Sequence, residues 1–302
     1  MWLVFTILTT LFWGVGEVFY KLGAERKTNY THLRTAIFIG LAMGIHAFIL
    51  LIFGDVGFHP INLIYYFPVF FLYMLSMVLA SYGVRFIENS VSSVVEEFSS
   101  VITVSLCFLI LGERIGGIAG LGVVLLTLGV VLLAAFETRD ENDRPLDVTK
   151  KMLIIGFIMA LSYALLDGIG TFLDVFYLDI ETSPLKYVTE NTIEDVANIA
   201  YELSFLITAI FMFIFLKIKK EKFTFKGEKY RILTGIFETL GQAFYVYSFS
   251  GNDIVAVTIM SFMSVISVIL SRIFLKEKLT KKQYVAVVMA LVGAVILGIV
   301  GE

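Results

Sequence analysis

The run Leu111-Gly112-Glu113-Arg114-Ile115, which closes one apolar stretch, returns 164 positions later as Leu275-Lys276-Glu277-Lys278-Leu279. The match extends forwards without a gap, setting Gly129 on Gly293 and Leu133 on Leu297. It also extends backwards, setting Phe98-Ser99-Ser100-Val101-Ile102 on Phe262-Met263-Ser264-Val265-Ile266. Such a chain is two copies of one unit, and whatever it folds into must be built from two like halves.

The medium in which it folds follows from composition. The chain is 58% hydrophobic and 16% charged, with a mean hydropathy of +0.89, against an apolar share of about 45–50% in soluble domains. About 20 apolar residues cross a bilayer as a helix. Ten stretches reach that length: 2–22, 32–53, 62–86, 91–112, 116–136, 151–178, 194–217, 230–249, 253–275 and 281–300. They lack the alternation of barrel strands, and lipid offers backbone groups no partner outside a helix or closed barrel. The expected fold is therefore an all-α membrane protein of ten transmembrane helices. Residues 1–136 form the first five-helix repeat, 137–150 a charged linker and 151–302 the second repeat. An odd number of crossings per copy inverts the second repeat relative to the first. Inverted repeats that enclose a site between them are characteristic of secondary transporters.

The first stretch has no basic region before it and no small-residue cleavage site after it, which predicts a retained helix. The single cysteine, Cys107, excludes an internal disulfide. His32, His46 and His59 are too scattered to set ligand spacing for a metal, and no cofactor is expected. Alternating the ten stretches puts 21 of the 23 basic residues on the face reached after the first. Only Arg114 and Lys186 fall on the other. Basic residues in short loops mark the cytoplasmic side, so both termini are expected outside the cytoplasm, in a plasma membrane.

Acids within the stretches carry the chemistry: Glu17, Glu96, Glu97, Asp167, Glu202 and Glu238. An acid at the bilayer centre costs about 2.5–3.5 kcal/mol on insertion scales and usually faces a polar cavity. Aligning the first and sixth stretches at an offset of 150 pairs Leu11 with Leu161, Trp13 with Tyr163 and Glu17 with Asp167. This alignment places the two acids at equivalent points of the two repeats. Residues three or four apart share a helix face. Trp13, Glu17 and Tyr20 therefore go together, as do Tyr163, Asp167 and Thr171, then Glu238, Gln242 and Tyr245, and finally Asn198, Tyr201, Glu202 and Phe205. Acid beside aromatic suits an amine or quaternary ammonium group, one supplying charge and the other a cation–π face. Glu17 also stands four residues before Lys21, the spacing of an intrahelical ion pair. Glu202 and Glu238 suit a site or an interhelical hydrogen bond equally. The fourth and ninth stretches carry matched small polar residues, Ser100 with Ser264 and Thr103 with Ser267, which either line a path or let helices pack closely.

No lysine or arginine lies near the centre of a stretch, which disfavours phosphate esters and sugar nucleotides. There is no HExxH, Ser/His/Asp pattern or phosphate loop to suggest an enzyme, and no basic patch with interleaved aromatics to suggest nucleic-acid binding. The run FWGVGEVFYKLG, Phe12 to Gly23, resembles the opening helix of EamA-type proteins of the drug/metabolite transporter superfamily. The LGERI and LKEKLT segments resemble the endings of that family's fourth and ninth helices, and the likeness spans nearly the whole chain. Two departures stand out: Ser100 and Ser264 occupy points where members often carry proline, and the family's termini are commonly cytoplasmic. The resemblance implies a cavity between helices 1, 3, 4, 6, 8 and 9.

The combined expectation is a secondary transporter of a small cationic or zwitterionic metabolite, with a passive facilitator or channel as the alternative. Glu17, Asp167, Trp13, Tyr20, Tyr163, Glu97, Glu238, Gln242 and Tyr245 are the expected substrate-binding residues. A proton and a cation can compete for one carboxylate, so Glu17 and Asp167 are also the expected proton-coupling pair. The other expected partners are membrane lipid and, at most, a second copy in a weak dimer.

Overall fold

The computed structural model describes residues 1–23, 30–54, 56–83, 98–112, 114–136, 149–249, 253–274 and 280–300. It is all-helical, with no strand among the described residues. Helices α1 (Trp2–Gly23), α2 (Thr31–Phe53), α3 (Asn62–Tyr65), α4 (Phe67–Gly83), α5 (Phe98–Leu106) and α6 (Gly117–Ala135) come from the first copy. The second copy gives α7 (Lys150–Leu178), α8 (Ile193–Ile218), α9 (Phe225–Tyr245), α10 (Asp253–Met260), α11 (Met263–Phe274) and α12 (Lys281–Val300). Five helical segments are long and apolar enough to cross a membrane: Trp2–Tyr20, Thr31–Phe53, Lys150–Leu178, Ile193–Ile218 and Asp253–Leu270. Their outward faces carry large apolar side chains such as Ile45, Ile52 and Phe211, each more than 60% exposed, as a lipid-facing surface requires.

Two expected single helices are broken. The third stretch is interrupted at Tyr66, where α3 stops and Phe67-Pro68 starts α4. Proline is tolerated there because the first turn of a helix leaves its N–H groups unpaired anyway. The ninth stretch turns at Ser261-Phe262 between α10 and α11. The eighth begins earlier than expected, at Phe225, because the Thr224 hydroxyl caps α9 by accepting from the Gly227 N–H at 3.3 Å.

Helix contacts come in exchangeable pairs. Helix α1 packs on α9 as α4 packs on α7, and α1 packs on α10 and α11 as α7 packs on α5. Likewise α2 meets α9 as α4 meets α8, while α2–α8 and α6–α12 each join one position of the first copy to its equivalent in the second. Glycines set how close these seams lie. A Cβ on Gly14 would sit 2.8 Å from Ile266 Cβ and 3.0 Å from the Met263 carbonyl oxygen. On Gly168 it would sit 2.8 Å from Ile102 Cβ and 2.7 Å from the Ser99 carbonyl oxygen. Ser99 and Ile102 are the residues 164 positions before Met263 and Ile266.

Gly14 and Gly168 are thus equivalents, 154 positions apart, and Gly16 falls on Gly170 in the same register. This corrects the alignment read from sequence by one helical turn. Glu17 corresponds to Thr171, Trp13 to Asp167 and Tyr20 to Asp174, so Glu17 and Asp167 are not equivalent positions.

The seams make the chain sensitive to added bulk at chosen glycines. A Cβ on Gly129 would lie 2.8 Å from Ala290 Cβ, whereas Gly120 on the same helix has nothing within 4 Å. Overpacking costs about 1–3 kcal/mol, while alanine for glycine in an open helix favours it by roughly 0.5–1 kcal/mol. Gly129→Leu is expected to lower the thermal unfolding midpoint in detergent by several degrees, and Gly120→Ala to leave it unchanged or raise it.

Candidate functional site

Four acids, Glu17, Asp167, Asp174 and Glu238, lie with their aromatic neighbours where α1, α4, α7, α8 and α9 meet. Trp13 on α1 donates its indole N–H to the Glu238 carbonyl at 3.3 Å, and its ring lies 5.1 Å from that of Tyr245. The indole can lie against α9 because Gly241 presents no side chain there; a Cβ would collide with the ring. One turn along α1, a Cβ on Gly16 would lie 3.6 Å from Glu238 Oε1, which brings the Glu238 carboxylate against α1. There it stands within electrostatic range of Glu17.

Tyrosines continue the cluster towards α7. The Tyr245 and Tyr73 hydroxyls are 2.9 Å apart, and Tyr73 donates to Thr171 Oγ1 at 2.9 Å. Tyr66 donates to the carboxylate of Asp174, which is 1% exposed, and Tyr73 and Tyr245 also act on that carboxylate. Tyr201 closes the group, its ring edge-on to both Tyr66 and Tyr73. Asp167, two turns before Asp174 on α7, is held by Ser99 and Tyr163. Gln242 donates to Asn198 Oδ1 at 3.4 Å, leaving the Asn198 amide nitrogen buried without a partner. Among the described residues no lysine or arginine pairs with Asp167, Asp174 or Glu238.

Of the residues expected from sequence, Trp13, Glu17, Glu238, Gln242 and Tyr245 are brought together, and Asp167 with Tyr163 flanks them across α7. Tyr20 is not part of this group. It is 36% exposed and lines a lateral cleft with His32, Met74, Met77 and Met212. Glu97 lies outside the described residues, as does the Lys21 side chain. Glu202 is engaged elsewhere, with both carboxylate oxygens on His46 Nδ1 at 2.8 and 2.9 Å. Thr103 donates to the Gly168 carbonyl at 2.9 Å, so that part of the polar stripe holds α5 to α7. Among the described residues no group of histidine, cysteine and acid could hold a metal ion.

Asp174, Tyr66 and Tyr73 were missed. Asp174 stands seven residues after Asp167 and so shares its face, which was the available signal. Its tyrosine partners lie about 100 residues upstream on another helix, where no local spacing reveals them.

Removing the donor to a buried carboxylate costs about 1–3 kcal/mol. Tyr66→Phe is therefore expected to lower the unfolding midpoint clearly, while Tyr65→Phe, next to it and 36% exposed, is expected to change nothing. Thermal unfolding followed by size-exclusion chromatography reads both.

A family model described as the EamA-like transporter family matches residues 1–135 and 199–299. A crystal structure of another protein superposes on 100% of this chain and 98% of its own, with a TM-score of 0.71 and 13% identity; at that identity the likeness is one of fold. No curated protein matches the chain.

Proposed function

The chain belongs to the EamA-like transporter family, and from that premise we propose that it is a secondary active transporter of a small cationic or zwitterionic metabolite, working by alternating access. The observation that carries this reading is the set of carboxylates inside the bundle, Asp174 buried and Asp167 and Glu238 half-buried, beside tyrosine and tryptophan and with no described lysine or arginine paired to them. An acid in such surroundings is costly, and an ammonium group offsets that cost with charge while the rings offer cation–π contact. Glu17, Glu238 and Asp167 are the proposed charge partners, with Trp13, Tyr163 and Tyr245 as walls and Gln242 as a polar contact. Tyr20 and the cleft beside it serve as an approach. A proton and the substrate compete for the same carboxylates, which couples their movements in opposite directions.

The proposed frame is ten crossings in two inverted five-helix repeats, residues 1–136 and 151–302 joined by the charged linker. The exchangeable helix contacts and the repeated glycine seams support it. Alternating access then follows as exchange of the two repeats' roles about a central site.

Radiolabelled amines, quaternary ammonium compounds, amino acids and sugars, offered to proteoliposomes preloaded with the same unlabelled compound, test the function. Saturable counterflow of a cationic or zwitterionic member is expected. Asp167→Asn is expected to lower its kcat/KM at least tenfold and flatten its pH dependence. Flux that rises linearly with concentration and ignores the preload would instead describe a channel.

We also propose that both termini lie outside the cytoplasm in the plasma membrane, from the distribution of basic residues. A C-terminal alkaline phosphatase fusion expressed in bacteria is expected to be active, and a C-terminal green fluorescent protein fusion dark. The opposite pair of results would reverse the orientation.

A further inference from the structure

Residues 217–231 carry seven basic residues and two acids, and the fold sorts them by sign. Both acids turn inward. Glu221 binds Arg34 Nη2 at 2.6 Å, and Glu228 bridges Arg34 and Arg231, the latter at 2.7 Å. Arg34 also donates to the Lys222 carbonyl at 3.1 Å, so the turn between α8 and α9 is clamped to the start of α2. The side chains of Arg34, Glu228 and Arg231 are each 5% exposed or less. With its acids neutralised beneath, the turn presents Lys217, Lys219, Lys220, Lys222, Lys226 and Lys229, all exposed.

Two apolar side chains stand among these lysines, Ile218 at 72% and Phe225 at 82% exposure. Ile218 ends α8 seven residues after Phe211, which is 68% exposed, and so shares its face, while Phe225 opens α9. A soluble acidic partner matches the lysines but does not draw on the exposed aliphatic group at the same rim. A bilayer surface does: lysines extend along their stems to the headgroups, and Ile and Phe enter the boundary with the acyl chains.

We propose that this ordered, sign-sorted turn is a binding platform for anionic phospholipid headgroups, which hold the α8–α9 connection against the membrane surface. Each lysine near an anionic surface adds to the attraction, and the Arg34 clamp fixes the lysines in place before a lipid arrives. The proposal depends on the chain spanning a membrane and not on what it transports.

Native mass spectrometry of the full chain, released from detergent and titrated separately with phosphatidylglycerol and phosphatidylcholine, tests it. The wild type is expected to bind phosphatidylglycerol at least tenfold more tightly. The variant with Lys219, Lys220, Lys222, Lys226 and Lys229 changed to Gln is expected to lose that preference. Lys281→Gln/Lys282→Gln, which removes two exposed lysines elsewhere, is expected to keep it. A preference that survives in the first variant, or falls equally in the second, overturns the proposal. So does displacement of phosphatidylglycerol by millimolar inorganic phosphate, which would mark a site for free anions. Should the five-lysine variant fail to fold, Ile218→Ser/Phe225→Ser decides: weaker binding of both lipids supports insertion, and unchanged binding of both rejects it.

Discussion

Close approach of helices at small residues governs this molecule, because lipid is as apolar as the side chains themselves and supplies no hydrophobic force to draw helices together. Packing must do that work, and it is strongest where backbones touch. The seam of α1 on α11 and the seam of α7 on α5 use corresponding atoms, with Gly14 against Met263 and Ile266 and Gly168 against Ser99 and Ile102. Those contacts fix how far each helix slides along its neighbour. They also fix the level at which every acid on α1 and α7 stands, so the chemistry of the interior is set by two residues that have no side chain.

The buried acids meet the cost of their surroundings in different ways. Glu202 faces a histidine on α2, Glu228 lies between two arginines, and Asp174 draws the Tyr66 hydroxyl. Breaking a buried pair by removing one partner leaves an uncompensated charge and costs about 3–5 kcal/mol, so these arrangements tie helices together. Glu238 is different. Its described neighbours include another acid, Glu17, the ring of Tyr201 and the bare face of Gly16. In the proposed transport reading Glu238 is the carboxylate left for a ligand, while the paired acids hold the fold.

Much of this was legible in the sequence and some was not. The apolar stretches and the acid-bearing faces depend on neighbours a few residues apart, and they reappear as helices and as the Trp13, Glu238 and Tyr245 cluster. The offset between α1 and α7 was misjudged as 150 where packing sets 154. Four residues are close to one turn of 3.6, so the slip keeps every side chain on the same face and moves it only about 6 Å along the axis. Periodicity cannot detect such an error, whereas Gly14-Val15-Gly16 against Gly168-Ile169-Gly170 could have. The His46–Glu202 and Tyr66–Asp174 pairs were beyond reach for another reason. Their members are 156 and 108 residues apart, on helices whose contact no local spacing encodes.

The corrected register changes what the interior can do. Trp13, Glu17 and Tyr20 on α1 fall at the levels of Asp167, Thr171 and Asp174 on α7, so an aromatic–acid–aromatic row corresponds to an acid–polar–acid row. In the proposed inverted arrangement the acids are therefore staggered along the path and not mirrored across it. Asp167 and Asp174 alone are about 10 Å apart along their helix. The 2.9 Å contact of Tyr73 with Tyr245 joins α4 to α9, which in that proposed arrangement exchange places between repeats. Gly16 against Phe237 and Gly170 against Leu72 set those helices 165 residues apart. The counterparts of Tyr73 and Tyr245 are then Glu238 and Ala80, a pair that cannot form a hydroxyl bridge. In the proposed alternating-access reading the hydroxyl bridge of Tyr73 and Tyr245 thus has no twin in the other repeat, and the two faces of the proposed site differ in chemistry.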